Sequence, residues 1–174
     1  MYKRQIYNKN GINIPELFKH IAKNKSVKDF DGANNFDDEI LEIECDILIP
    51  AAVGGVIKSN NAENIKAKII VEGANSPTTL SADKILRDNG VLLIPDILAN
   101  AGGVTASYFE WVQNTQNYLW KEKELHDRLI DVLTSAFEEV WIISEKNKVD
   151  LRTAALIKGI KKVAAAKLTR GLFP

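Results

Sequence analysis

Asp46-Ile47-Leu48-Ile49-Pro50, Lys68-Ile69-Ile70-Val71-Glu72 and Val91-Leu92-Leu93-Ile94-Pro95 are three short apolar runs, each bounded by charged or turn-forming residues. Within each run the apolar residues are continuous rather than alternating, which is the pattern of strands buried on both faces. Helix-like stretches separate them, around residues 60–66 and 79–89, and Asn89-Gly90 supplies a helix stop directly before the third run. The resulting order, β-α-β-α-β, implies parallel strands joined by right-handed crossovers.

On the N-terminal side, residues 15–24 are expected to be helical. Pro15 suits a first turn, and Leu17, Phe18 and Ile21 share a face. Residues 37–44 are expected to form a short second helix, and residues 25–36 a loop, the most mobile of the chain. On the C-terminal side the chain is helical throughout. Residues 103–116 come first. Residues 121–147 follow, with Leu125, Leu129, Val132, Ala136, Val140 and Ile143 as the apolar stripe. Asp150 caps a last, alanine-rich helix over 151–169, with Ile157, Ile160 and Val163, and Gly171 ends it. The fold class expected is α/β: a partial Rossmann-like, doubly wound parallel sheet of about three strands, followed by C-terminal helices.

The 174 residues are enough for one domain. Lys plus Arg and Asp plus Glu balance at 23 each, so charge gives no reason to expect a nucleic-acid footprint or a membrane-surface patch. Cys45 is the only cysteine, which rules out an internal disulfide and fits a reducing compartment. No apolar run approaches the ~20 residues that span a bilayer, and Met1-Tyr2-Lys3-Arg4-Gln5 is followed by no apolar core of the kind a signal peptide has. A cytoplasmic location is the expectation.

In a parallel α/β sheet, ligands bind outside the carboxyl ends of the strands. The first run leads into Pro50-Ala51-Ala52, the second into Glu72-Gly73-Ala74-Asn75, and the third into Pro95-Asp96-Ile97-Leu98-Ala99-Asn100-Ala101-Gly102-Gly103. Small side chains let a planar ring or a sugar approach the backbone, and an Asn carboxamide offers donors and an acceptor together. A nicotinamide ring carries its own carboxamide, which makes Asn75 and Asn100 chemically suitable partners. Gly102-Gly103 at a helix start lets backbone N–H groups face an anion, and Ser107, one turn further on, suits a substrate carboxylate. Each residue also has a plainer use. Asn75 can close a turn and Asn100 can cap the following helix. For Glu72 and Asp96 a turn or cap role is favoured over acid–base work, and Glu110 reads as structural. His20 and His126 are expected to be solvent-exposed and give no metal-site spacing. Cys45 reads as a buried small residue. The aromatic residues Tyr108, Phe109, Trp111, Tyr118 and Trp120 fit core or interface better than a base-stacking surface. No Gly-x-Gly-x-x-Gly or Walker-type loop occurs in these residues.

The blocks 46–52, 72–79 and 95–114, with Arg152-Thr153-Ala154-Ala155 near the end, closely resemble glutamate dehydrogenases, from about Ile6 to Gly171. Leucine and phenylalanine dehydrogenases share the Asn-Ala-Gly-Gly part but not Ser107-Tyr108-Phe109-Glu110-Trp111. The resemblance implies oxidative deamination of L-glutamate to 2-oxoglutarate and ammonia, with NAD or NADP as the hydride acceptor, in a homo-hexamer. It implies that Ala51, Ala52 and Asn75 line the ribose and nicotinamide side of the cofactor and that Asn100 holds the nicotinamide carboxamide. Val104 would pack on the methylene chain of the substrate, and Ser107 would bond its distal carboxylate. The protein's part is placement, bringing ring and substrate α-carbon to ~3–3.5 Å.

Ser76 stands where the family usually has glycine, and Gly54-Gly55 replaces bulkier polar residues. The family's substrate domain, with its catalytic lysines and aspartate, precedes this region, as do its phosphate loop and the residue that selects NAD or NADP. No catalytic residue is therefore assigned here, and Met1 to Gln5, which match nothing in the family, read as a junction. Residues 1–150 are expected to be the C-terminal part of the dinucleotide-binding domain. Residues 151–174 are expected to form a helix that packs on the substrate domain and is mobile, self-associated or repacked without it. The exposed sheet edge is an expected aggregation site. The enzyme fragment is set beside two alternatives: an inert binding or assembly piece, and another amino-acid dehydrogenase.

Overall fold

The computed structural model describes residues 5–36 and 39–171. The chain divides into two compact units, Met1–Ile43 and Glu44–Pro174.

In the first unit, β1 (Ile6–Tyr7) pairs antiparallel with β2 (Asn34–Asn35), so that a strand forms inside the loop expected over 25–36. Between them runs α1 (Ile14–Asn24). Asn13 caps it by accepting from the Glu16 N–H at 3.2 Å, and Lys25, in the left-handed region at φ 55°, ends it. Its expected apolar face is only partly used: Leu17 and Ile21 are half-buried, while Phe18 is exposed. His20 is not the solvated residue expected. It is half-buried with its ring edge-on to Phe30, and its Nε2 lies 3.0 Å from the Lys28 carbonyl. Of the helix expected over 37–44, a single 3-10 turn at Ile40–Glu42 forms, while residues 37 and 38 lie outside the described residues.

The second unit holds three parallel strands in the order β3 (Ile47–Leu48), β4 (Ile69–Val71), β5 (Leu92–Ile94). Ile70 pairs with Leu48 on one side and Leu93 on the other, and is fully buried. The expected burial on both faces is incomplete even here, since Ile69 and Val71 on the opposite face are half-buried. β3 is an edge strand, and Ile47 and the adjoining Ile49 remain exposed. Between the strands come α2 (Ser59–Ala62), shorter than expected, and α3 (Leu80–Asp88). Thr79 caps α3 through the Ala82 N–H, and Gly90 at φ 77° closes it, as the Asn-Gly pair suggested.

A short α4 (Asp96–Ala99) then leads into α5 (Gly102–Gln116), α6 (Glu122–Asn147) and α7 (Leu151–Arg170). On α6 the inward stripe differs from the expected one. Val132 is exposed, and Leu133 is turned in beside Gly102, because 3.6-residue periodicity carries the face from Leu129 to Leu133. Val140 packs with Leu151, Ala154 and Ala155 of α7, against Ile94 and Leu98. Beyond this first turn and a half α7 leaves the core: Ile160 and Val163 are exposed and, with Ile97, Leu156 and Gly159, line a shallow apolar groove.

Asp150 caps α7 as expected, accepting from the Thr153 N–H at 2.9 Å and pairing with Arg87 at 2.7 Å. Burial pushes its carboxyl pKa up, but the Thr153 bonds and the Arg87 charge outweigh this and leave it below the ordinary 3.8. A carboxylate with a lowered folded-state pKa stabilises above its unfolded value, and that contribution is lost as pH falls through the folded one. Asp150→Ala is therefore expected to cost about 1 kcal/mol at pH 7. The difference from the parent should vanish in acid denaturation once pH falls well below 3.8. Parallel urea titrations at pH 7 and in acid check both parts.

Candidate functional site

The carboxyl ends of β3, β4 and β5 open onto one rim. The chain leaving β3 stays beside the chain leaving β4. Ala74 N–H donates to the Pro50 carbonyl at 2.9 Å, Gly55 N–H to Ser76 at 2.8 Å, and Ile57 N–H to Pro77 at 2.9 Å. Two glycines permit this closeness. A β-carbon at Gly73 would lie 2.9 Å from the Ala51 methyl, and one at Gly54 would lie 2.8 Å from the Asn75 carbonyl oxygen.

Asn100 follows α4, and its Nδ2 donates to Asn75 Oδ1 at 2.7 Å and faces the Gly73 carbonyl at 3.4 Å. The second contact fixes which side of the carboxamide is the amino group, since only a donor belongs opposite a carbonyl. Asn100 therefore does not cap α5, whose first turn has no side-chain cap. Among the described residues, Asn75 Nδ2 and Asn100 Oδ1 have no protein partner. The pair thus presents one donor and one acceptor, the complement of a primary carboxamide.

Ala51 touches Gly73, so Ala51, Gly73, Asn75 and Asn100 form one contiguous group. Ala52 follows Ala51 on the rim and is exposed. Val104 and Ser107 lie three residues apart on α5, both exposed. Among the described residues, no hydrogen bond ties either to the Asn pair. Of the aromatic residues, Phe109 is buried with its ring edge-on to Trp120, over which the Arg128 guanidinium sits at 4.4 Å, whereas Tyr108, Trp111 and Tyr118 stay exposed. Glu110 is exposed and His126 is exposed. Cys45 is half-buried rather than buried; burial and then the Asp46 charge push its thiol pKa up, which disfavours the reactive thiolate.

Ser76 adopts φ 46°, the left-handed region, with its N–H donating to Asp96 Oδ2 at 2.8 Å. A β-carbon there costs roughly 1 kcal/mol. Ser76→Gly is therefore expected to raise stability by about 0.5–1 kcal/mol, less the added freedom of the unfolded chain. A chemical-denaturation midpoint that falls on this substitution would contradict the assignment of strain.

Beneath the rim lies a charge cluster that sequence reading missed. Glu72 is fully buried and accepts both from Arg152 Nη2, at 2.8 Å to each oxygen, and from the Asp96 N–H at 2.8 Å. Arg152 also donates through Nε to Asp83 at 2.6 Å and through Nη1 to Asp96 at 3.2 Å. Burial works against the guanidinium charge, but the bonds to Asp83 and Glu72 prevail and hold its pKa above the ordinary value. Glu72 and Asp96 thus serve as structural acceptors in a charge cluster around Arg152, rather than in the simple turn or cap use favoured for them. The sequence did carry one signal. Arg152 stands in the first turn of α7, where the helix dipole disfavours a cation, so a specific set of acids was needed to hold it.

The family model for Glutamate/Leucine/Phenylalanine/Valine dehydrogenase matches residues 3–171. Lys3, Arg4 and Gln5 thus fall inside the match, which corrects the reading of Met1 to Gln5 as a junction. A glutamate dehydrogenase of Thermotoga maritima is 47% identical over 97% of this chain and 41% of its own length. The catabolic NAD-specific glutamate dehydrogenase RocG of Bacillus subtilis is 48% identical over 95% of this chain and 39% of its own. The hetero-hexameric glutamate dehydrogenase of Thermus thermophilus superposes with a TM-score of 0.88 at 28% identity, over 97% of this chain and 40% of that one. The chain spans about two-fifths of the length of the relatives it matches.

Proposed function

The chain belongs to the Glutamate/Leucine/Phenylalanine/Valine dehydrogenase family, and from that premise we propose that it is the part of a glutamate dehydrogenase that grips the nicotinamide end of NAD or NADP. The observation that carries this reading is the bond between Asn100 Nδ2 and Asn75 Oδ1, 2.7 Å long, at the carboxyl ends of adjacent parallel strands. The remaining donor of Asn75 and acceptor of Asn100 match a nicotinamide carboxamide, and Ala51 and Ala52 leave room for the ribose and ring. The bound cofactor would accept hydride from the substrate α-carbon. This chain's residues would orient the ring and shield one face of it. Val104 would pack on the methylene chain of glutamate, and Ser107 would bond its distal carboxylate. Residues 1–150 would complete the dinucleotide-binding domain, and 151–174 would pack on a substrate domain in a cytoplasmic homo-hexamer.

The assigned residues bind and orient, and none moves a proton. These 174 residues alone are therefore expected to give no glutamate-dependent reduction of NAD or NADP. Mixing with a separately produced substrate-domain half of a relative is expected to restore turnover. Turnover by the chain alone would refute the division of labour, and silence in every mixture would favour an inert assembly piece.

A further inference from the structure

We propose that Arg152 is a positioning residue whose guanidinium, through Asp96, fixes the geometry of the Asn75–Asn100 pair, so that this charge link and the shape of the carboxamide pair are coupled. The inference deepens the nicotinamide reading and rests on it for its functional meaning. The linkage is short on both arms. Arg152 Nη1 holds Asp96 Oδ1 at 3.2 Å, and Asp96 Oδ2 accepts from the N–H of Ser76, the residue directly after Asn75, at 2.8 Å. Asp96 also opens α4, and Asn100 N–H donates to the Asp96 carbonyl at 3.0 Å, so the same residue anchors both asparagines.

Glu72, directly after β4, locks this arrangement. It binds Arg152 and the Asp96 N–H through one carboxylate. Asp83 on α3 also holds the guanidinium, accepting from its Nε at 2.6 Å. Ser76 at φ 46° is a conformation that persists only when its surroundings over-determine it, and the Asp96 carboxylate on its N–H is such a restraint. One planar fork with five donors serves three acids at once, a task that a lysine ammonium on a flexible stem does not reproduce.

The test uses the isotopically labelled full chain and follows the side-chain carboxamide resonances and hydrogen exchange of Asn75 and Asn100 by NMR. Asp96→Asn cuts the link while keeping side-chain volume, and Arg152→Met removes its source. Leu151→Ala, in the same helix turn, loosens α7 without touching a charge. Both link variants are expected to shift the two carboxamides and to speed Asn100 side-chain exchange on the order of tenfold, the effect of losing about one hydrogen bond. Arg152→Lys should fail to restore the parent spectrum. Leu151→Ala should lower the melting temperature and leave the pair unmoved. An unchanged Asn100 in folded Asp96→Asn, or an equal change in Leu151→Ala, overturns the coupling. Titration of the parent with NAD separates the two readings. If NAD leaves both asparagines unmoved while Asp96→Asn shifts them, the nicotinamide reading fails and the coupling stands. The opposite pattern removes the coupling alone.

Discussion

Arg152→Met is expected to destabilise the chain by about 3–5 kcal/mol. The substitution keeps a long apolar stem, so packing changes little and charge is the variable. In the parent, one cation sits among three carboxylates, with Glu72 fully buried and Arg152 at 16% side-chain exposure. Without it the carboxylates of Glu72, Asp83 and Asp96 face one another with no compensating charge. A domain's whole stability is about 5–15 kcal/mol, so a loss of this size takes much of it. The deficit has a sign in pH as well. Buried, mutually repelling carboxylates hold protons more tightly, so the variant should recover part of its stability as pH falls toward the carboxylate range. Urea denaturation of parent and variant across pH measures both. A loss under about 1 kcal/mol would mean that the cluster behaves like surface ion pairs.

In an enzyme reconstituted with a substrate-domain half, Asn100→Ala is expected to lower kcat/KM by about 100-fold. Two losses combine. On the proposed reading the ring carboxamide forfeits a hydrogen bond, and Asn75 forfeits the partner that holds its Oδ1 at 2.7 Å. A ring displaced by about an ångström no longer meets the substrate α-carbon at reacting distance. Both kcat and kcat/KM should fall, because orientation matters most in the transition state. Steady-state kinetics at saturating glutamate resolve this, and an Asn100→Ala enzyme within about twofold of the parent would remove the role assigned to the pair.

The sheet was legible because its signal is local. Three continuous apolar runs and an Asn-Gly stop mark the strands and their parallel sense without knowledge of the rest of the chain. The Asn pair was legible for the same reason, since small residues and carboxamides at strand ends are short-range patterns. What sequence reading missed is what depends on distant partners. Arg152 meets Glu72 across 80 positions, and only its awkward place at a helix start hints at that. His20 packs on Phe30 because the chain folds back through a two-residue strand pair, too short for a periodic signal. Val132 and Leu133 are adjacent and both apolar, so composition does not choose between them. The helix register against Gly102 does.

A crystal structure of this chain grown with NADH tests the central claim most directly. The nicotinamide carboxamide is expected to bond to Asn75 Nδ2 and Asn100 Oδ1, with the ring lying over Ala51 and Ala52. A ring bound away from the carboxyl ends of β4 and β5, with the two asparagines still turned only to each other, would contradict it.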